Sequence, residues 1–146
     1  MREPSEVQVR PVSTAETAEL RRQVLRAGSA APLPGDDEPA FHVGAFEGDQ
    51  LRGTGNVRRQ PAPWALGEDA WRLRGMATAP DRRGQGIGAA VLDALVGHCR
   101  EHGGGVLWCN ARTPAQRFYE RAGFEVIGEP WEDPEIGPHV RMWRQL

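Results

Sequence analysis

Apolar and polar positions follow one another along this chain with two different periods, and these periods predict its strands and helices. Four stretches fit strands: VQVRPV at 7–12, FHVGAFEG at 41–48, QLRGTGNVRR at 50–59 and WRLRGMATA at 71–79. The second and third strands meet at Gly48-Asp49, a dipeptide typical of a hairpin turn. The fourth ends at Pro80, which has no backbone N–H to continue a sheet ladder.

Two long helices are predicted from capping residues and from helical spacing. Ser13 and Glu16 form the pattern of a capping box at the start of the first helix, which covers 13–27. One face of this helix carries Leu20, Val24 and Ala27. The second helix opens at Ile87 and ends at Gly103. Its apolar positions recur at helical spacing: Ile87, Val91, Leu92, Leu95 and Cys99.

The last third of the chain predicts strand, helix and two closing strands. GVLWCN at 105–110 is the strand, and Thr113-Pro114-Ala115-Gln116 predicts a capping box with proline at the first helical position. Gly123 ends this third helix, and FEVIGE at 124–129 and HVRMWRQL at 139–146 are the closing strands. Segments 28–40 and 60–70 predict loops. The order βα, three strands, then αβαββ predicts one α/β domain over 1–146 with a mixed sheet.

Composition narrows the class of protein. The chain has 146 residues, 39% hydrophobic and 26% charged, which is typical of a soluble globular domain. A net charge of −2 gives no general attraction to nucleic acid, and no apolar run suits a membrane span or signal peptide. All 18 basic residues are arginine, so no lysine base is present. Cys99 and Cys109 lack metal or redox spacing and predict reduced, partly buried thiols in a cytoplasmic protein.

The stretch RRGQGIGAAVL at 82–92 predicts an anion site. Its glycines, Gly84, Gly86 and Gly88, lie between a strand and the start of a helix. The first N–H groups of that helix have no partner within it, and they point outward with the positive end of the helix dipole. A phosphate can therefore lie against the main chain, with Arg82 and Arg83 as further donors. Alternatively, the glycines only let the helix pack closely on the sheet.

Three phosphate ligands compete for this loop. A Walker A loop is excluded because the chain has no lysine. GQGIGA matches a dinucleotide fingerprint, but the strand before it carries Arg72 and Arg74, and no acid follows Cys109-Asn110 to hold a ribose. The third ligand is coenzyme A, whose pyrophosphate fits the same loop.

RRGQGIGAAVL after MATAP resembles the acyl-CoA-binding motif of the GNAT superfamily of N-acyltransferases, Q/R-x-x-G-x-G/A, at Arg83, Gly86 and Gly88. LWCNARTPAQRFYERAGFEVIGE resembles the family's fifth strand, linking Asn and following helix, and PEIGPHVRM is similar to the end of some small bacterial members. The resemblance covers about 71–146. It implies a mixed, mostly antiparallel sheet of six to seven strands with three to four helices. It also implies acetyl transfer from acetyl-CoA, without metal, to a small-molecule or peptide amine, and it is compatible with a homodimer.

The resemblance also implies roles for individual residues. Backbone groups of Met76 and Thr78 would bind the pantetheine arm, and the Met76 N–H would polarise the thioester carbonyl. Tyr119, the single tyrosine of the chain, would be the general acid, although a core aromatic is the alternative. The remaining cofactor-binding residues would hold the pyrophosphate or line the pantetheine: Arg83, Gly84, Gln85, Gly86, Ile87, Gly88, Ala89, Asn110 and Phe118.

The strand WRLRGMAT leaves the role of general base vacant, because it has no acid where many family members carry a Glu. His139 is the best candidate, unless it only bonds the chain near Pro138. Several neighbours have more than one interpretation. Glu132, Asp133 and Glu135 relay a proton through water, attract a cationic amine, or form a solvated loop. Trp131 lines the acceptor pocket or packs in the core.

Two further patterns leave open questions. Four arginines bind a substrate carboxylate or cover the sheet: Arg52, Arg58, Arg72 and Arg74. HCREH at 98–102 matches a zinc pattern, but we interpret it as polar residues at a helix end. Two function classes therefore remain: an acetyltransferase, and a CoA-binding sensor that does not catalyse, which the missing strand carboxylate would fit.

Overall fold

A computed structural model describes residues 7–26, 38–64, 69–134 and 136–146. Ala27, Glu135 and most of the predicted 28–40 loop lie outside the described residues. The helices and strands follow one another along the chain with these bounds: β1 Val7–Val12, α1 Thr14–Leu25, β2 Phe41–Glu47, β3 Gln50–Arg59, β4 Ala70–Thr78, α2 Ile87–Glu101, β5 Val106–Arg112, α3 Gln116–Arg121, β6 Glu125–Val126, β7 Trp131–Asp133 and β8 Gly137–Gln145. Within the described residues, no helix is both long and apolar enough to cross a membrane.

The strands form one mixed sheet in the order β1-β2-β3-β4-β5-β8-β6, with β7 also paired to β8. Among the described strands, only the β4–β5 ladder is parallel, and the other ladders are antiparallel. The predicted fold class is therefore confirmed. The described residues give eight strands rather than six or seven, because β7 has only three residues and leaves no alternating pattern in the sequence. β6 covers only two residues of the strand predicted at 124–129.

Helix α2 packs on one face of the sheet, where glycines of β3 leave room for it. A Cβ added to Gly53 would lie 2.5 Å from Cγ2 of Ile87, and one added to Gly55 would overlap the sulfur of Met76. The two glycines thus let the helix approach the strand closely. The main core forms here from buried side chains of α2 and the central strands, among them Val91, Leu95 and Leu107.

Helix α1 packs on the opposite face, where Leu20 contacts a cluster with Ala77 and Ala79. Its predicted capping box is confirmed in both directions. The Glu16 N–H donates to Oγ of Ser13 at 3.2 Å, and the Ser13 N–H donates to Oε1 of Glu16 at 3.0 Å. Two N–H groups at this helix end that α1 itself cannot bond are thereby satisfied.

The second predicted capping box, at 113–116, is wrong. Thr113–Ala115 form a single 3-10 turn without a side-chain cap, and α3 begins only at Gln116. Because β5 runs directly into this turn, its tight i→i+3 bonds take the place of a capping side chain. The Gln116 amide instead donates to Glu120, at 3.4 Å. The end of α3 is as predicted, with Gly123 at φ +89°.

Ser13 and Thr113, the first residues of the two predicted capping boxes, provide a matched test of capping. We expect Ser13→Ala to lower the free energy of unfolding by about 1 kcal/mol, because it removes a capping oxygen. Thr113→Ala is the control, since Thr113 makes no capping bond, and it should change stability by less than about 0.5 kcal/mol. Urea unfolding measures both. Equal losses for the two variants would contradict the assignment.

Candidate functional site

The central feature of the site is a gap between β4 and β5. In the described chain their ladder has three pairs, Ala70–Arg72 with Val106–Trp108, although both strands continue beyond it. From Leu73 to Thr78, one edge of β4 therefore faces the gap without a neighbouring strand. Because successive backbone groups alternate between the two edges of a strand, some N–H and C=O groups of this segment are directed into the gap.

A bulge in β4 lies at the middle of this free edge. The β3–β4 register shifts between Thr54 and Asn56, opposite Gly75 and Met76. Gly75 has φ +66°, and a Cβ there would lie 2.8 Å from Nδ2 of Asn56. The bulge re-aims the backbone at Met76. Met76 is among the predicted site residues and Gly75 is not, although an isolated glycine inside a strand pattern signals a bulge.

The loop at the open end of the gap leads into α2 and leaves its first amides accessible. The N-cap is Gly86, at φ +82° and without a capping side chain, and Gly84 has φ +76°. A Cβ on either residue would meet no atom within 4 Å, so the space in front of the loop is open. Such consecutive amides at a helix N-terminus form an anion-binding concavity.

Gly88 has a different role from the two glycines before it. A Cβ at this position would lie 3.1 Å from Cε1 of Phe118 and 3.5 Å from Oγ1 of Thr78. The close-packing interpretation of the glycine cluster therefore holds for Gly88, whereas Gly84 and Gly86 leave open space in front of the loop. The contact also brings together Thr78, Gly88 and Phe118, three of the predicted cofactor-binding residues.

Two of the arginines considered in the sequence analysis belong to an ion-pair network. Arg82 donates to Glu47 at 2.9 Å and to Asp81 at 3.2 Å, and Arg52 contacts the same two carboxylates at 3.3 and 3.0 Å. This arrangement does not support Arg82 as a phosphate donor or Arg52 as a substrate ligand. Arg83 is exposed and remains beside the loop.

The other wall of the gap is formed by β5 and the helix that follows it. Asn110 lies beyond the paired part of β5, and its Oδ1 accepts a 3.2 Å hydrogen bond from Nε of Arg141. Tyr119 is buried in the main core, with its ring edge-on to Phe118 at 5.1 Å and to Phe124 at 5.4 Å. Burial raises the pKa of Tyr119 above its ordinary value, and Cys109 adds to this effect. The phenol therefore stays protonated at physiological pH.

His139 is buried on β8, opposite Arg112 of β5. Its Nδ1 lies 2.8 Å from the Gly137 carbonyl, which can only accept, so Nδ1 carries the proton and Nε2 keeps its lone pair in the neutral ring. The ring stacks on Trp131, at 5.5 Å between centroids. Trp131 itself is exposed on β7 rather than packed in the core.

The acidic residues near His139 have different surroundings. Glu132 is exposed, and Oδ1 of Asp133 accepts a 3.1 Å hydrogen bond from the Ile136 N–H. Glu135 lies outside the described residues.

The HCREH pattern lies at the far end of α2 from the loop. Nδ1 of His102 is 2.8 Å from the carbonyl of His98, and the His98 ring stacks on Phe41 at 3.6 Å. Burial, together with His102, lowers the pKa of His98. The described part of the chain contains no group of three or more side chains placed to hold a metal ion.

Both cysteines are free, and both are more deeply buried than the sequence predicts. Cys99 is 0% exposed and Cys109 is 2% exposed. Burial raises the pKa of each thiol to about 12, so both stay protonated and unreactive.

Comparisons with known proteins identify the family of this chain. The model of the acetyltransferase (GNAT) family matches residues 10–124. The chain is 31% identical over 144 residues to the uncharacterized N-acetyltransferase YitI of Bacillus subtilis (strain 168), covering 96% of this chain and 97% of that protein. The chain belongs to the GNAT family of acetyltransferases, as the resemblance predicted.

Solved structures share the fold. A structure from Lactobacillus plantarum that is assigned as an N-acetyltransferase matches with a TM-score of 0.79 at 23% identity, covering 96% of this chain and 98% of that one. The NatC complex bound to Gag peptide and CoA matches with a TM-score of 0.72 at 12% identity, with the same coverage of both chains. At these identities, the two structures support the fold alone.

Proposed function

We propose that this protein transfers an acetyl group from acetyl-CoA to a primary amine of a small-molecule or peptide acceptor, by direct attack of the amine on the thioester. The observation that carries the proposal is the gap between β4 and β5, which lies between the glycine loop and Tyr119. Residues 1–146 act as one catalytic domain. Cytoplasmic location and a homodimer remain predictions from the sequence.

The loop and the gap fit coenzyme A. Open space in front of Gly84 and Gly86 lets a diphosphate approach the main chain, where the amides from Gly84 to Ala89 donate and Arg83 adds a positive charge. The free edge of β4 at Met76 and Thr78 offers backbone groups to the amides of the pantetheine arm. Asn110 and Phe118 line this arm from the opposite wall.

The chemistry assigns one task to each remaining residue. The Met76 N–H donates to the thioester oxygen and stabilises the negative charge that develops there. Nε2 of His139 accepts the proton that the ammonium form of the acceptor must lose before attack. The Tyr119 phenol donates a proton to the departing thiolate and regains one from water. Because burial raises its pKa, Tyr119 is available in its acid form throughout the neutral range.

A CoA-binding protein without catalysis is the second candidate. It is favoured by one observation, that β4 carries no carboxylate at the free edge from Leu73 to Thr78. Release of free thiol distinguishes the two candidates. An enzyme releases free thiol when it is mixed with acetyl-CoA and amines, whereas a binder gives only a heat of binding.

We expect thiol release from acetyl-CoA with at least one member of an amine panel, and we expect Tyr119→Phe to lower kcat about 100-fold. Calorimetry should show unchanged CoA affinity in this variant, since the phenyl ring keeps its packing. The wild-type kcat should show no loss from Tyr119 ionisation below about pH 10, because the pKa of Tyr119 is raised. An unchanged kcat in Tyr119→Phe would refute the acid role, and CoA binding without any thiol release would favour the binder.

Gly86 gives a separate test of the loop. Gly86→Ala and the control Gly128→Ala both place a side chain at a positive φ, +82° and +78°, and neither Cβ meets a protein atom. Each should therefore lose about 1 kcal/mol of stability. Only Gly86→Ala should weaken CoA binding, by about 10-fold, because its Cβ points into the space assigned to the phosphates. Equal CoA affinities in calorimetry would argue against the phosphate site.

A further inference from the structure

Four arginines of β3, β4 and β8 lie on the sheet face opposite α2, beside the gap, and we refer to them as the arginine row: Arg58, Arg72, Arg74 and Arg141. Arg58 and Arg72 are direct cross-strand partners of β3 and β4, and Arg74 is the next β4 residue on the same face, opposite Asn56. Arg72 pairs with Trp108 in the last rung before the strands part. The row therefore lies at the inner end of the gap.

The row places like charges next to one another on one face of the sheet. Like charges placed directly opposite each other destabilise a sheet, yet Arg58 and Arg72 face each other across one rung. The pKa of Arg72 falls to about 10, first because of burial and then because of Arg74, Arg58 and Arg141. Glu38 contacts Arg58, but the buried Nε atoms of Arg58 and Arg72 have no hydrogen-bond partner among the described residues.

Trp108 holds two of these guanidinium groups in place. Arg72 lies over its ring at 5.0 Å and Arg141 at 5.8 Å, and Arg141 also lies 5.6 Å from the Trp131 ring. Stacking of this kind fixes the plane of a guanidinium while its N–H donors remain at the edge of that plane. Such a fork matches the two oxygens of a carboxylate. Arg58 is only 7% exposed, so any anion there would be shielded from water.

We propose that the arginine row binds a carboxylate of the acceptor, so that the preferred acceptors are amines that also carry a carboxylate, such as free amino acids. This inference rests on the proposed acetyl transfer at the same gap. Along a strand, Arg74 lies two residues and Arg72 four residues before Met76, or about 7 and 13 Å. Long arginine side chains shorten this span, so one small molecule can reach both the row and the thioester. The glycine loop lies at the other end of the gap, at the start of α2, and keeps the cofactor phosphates apart from the row.

The test compares each amino acid with its carboxamide, which lacks the negative charge, and adds phosphoethanolamine as an amine with a different anionic group. Thiol release is measured with the standard L-amino acids, with their carboxamides and with phosphoethanolamine, for wild type, Arg72→Gln, Arg72→Lys and Arg100→Gln. Arg100 is exposed at the end of α2 and serves as the matched control. The readout is the ratio of kcat/KM for an amino acid to kcat/KM for its carboxamide. The two amines differ in basicity, but this difference is the same for every variant and cancels when the ratios are compared.

We expect Arg72→Gln to lower this ratio about 10- to 100-fold, with no change in the KM for acetyl-CoA. Arg72→Lys should restore part of it, since the charge returns without the fork, and Arg100→Gln should match wild type. Thiol release with carboxamides as good as with amino acids in wild type, or an equal ratio in Arg72→Gln, would overturn the inference and leave the acetyl transfer intact. A preference for phosphoethanolamine would overturn the choice of carboxylate.

A binding measurement separates the two proposals if no thiol is released. Absence of turnover with every amine refutes the acetyl transfer. Calorimetry with the amino acids in the presence of CoA then decides the arginine row: heat in wild type that is lost in Arg72→Gln supports it, and no heat in either protein contradicts it. Urea unfolding of Arg72→Gln and Arg72→Lys verifies that both variants are folded.

Discussion

The site depends on one departure from regular pairing: β4 and β5 part after the rung between Arg72 and Trp108. Regular strands satisfy their backbone groups with a neighbour, and an edge inside the sheet that lacks one must find another partner. Here that edge also contains the bulge at Gly75, which fixes the backbone at Met76. The same parting places the loop before α2 and the turn before α3 at the two sides of a single opening.

The two faces of the sheet give this opening two different linings. On the α2 side lie the glycine loop, Phe118 and Tyr119, whose buried phenol stays protonated. The other side carries the arginine row, Trp108 and His139. On this side Arg112 connects β5 to the end of α1, because it donates a 2.9 Å hydrogen bond to the carbonyl of Leu25. In our proposals the cofactor is bound from the first side and the acceptor from the second. The reacting atoms meet at the free edge of β4.

The sequence predicted those parts of the fold whose signals are local. The Gly48-Asp49 hairpin, the Ser13–Glu16 box and the span of α2 follow from short-range spacing and agree with the structure. The capping box predicted at Thr113 is wrong because β5 runs directly into a 3-10 turn, in which the Thr113 side chain makes no capping bond. In the candidate site, the loop residues are predicted by a local motif. The ion pairs of Arg82 with Glu47 and of Arg52 with Asp81 join residues 35 and 29 positions apart, and no local pattern predicts them.

Hydrogen exchange with and without CoA tests most directly whether the free edge of β4 and the loop amides bind the cofactor. The account predicts slower exchange on CoA addition in peptides covering 73–78 and 84–89. Peptides from β3, whose amides already lie between two strands, should exchange at unchanged rates. Unchanged exchange in both site segments at saturating CoA, or protection confined to other parts of the chain, would contradict the account.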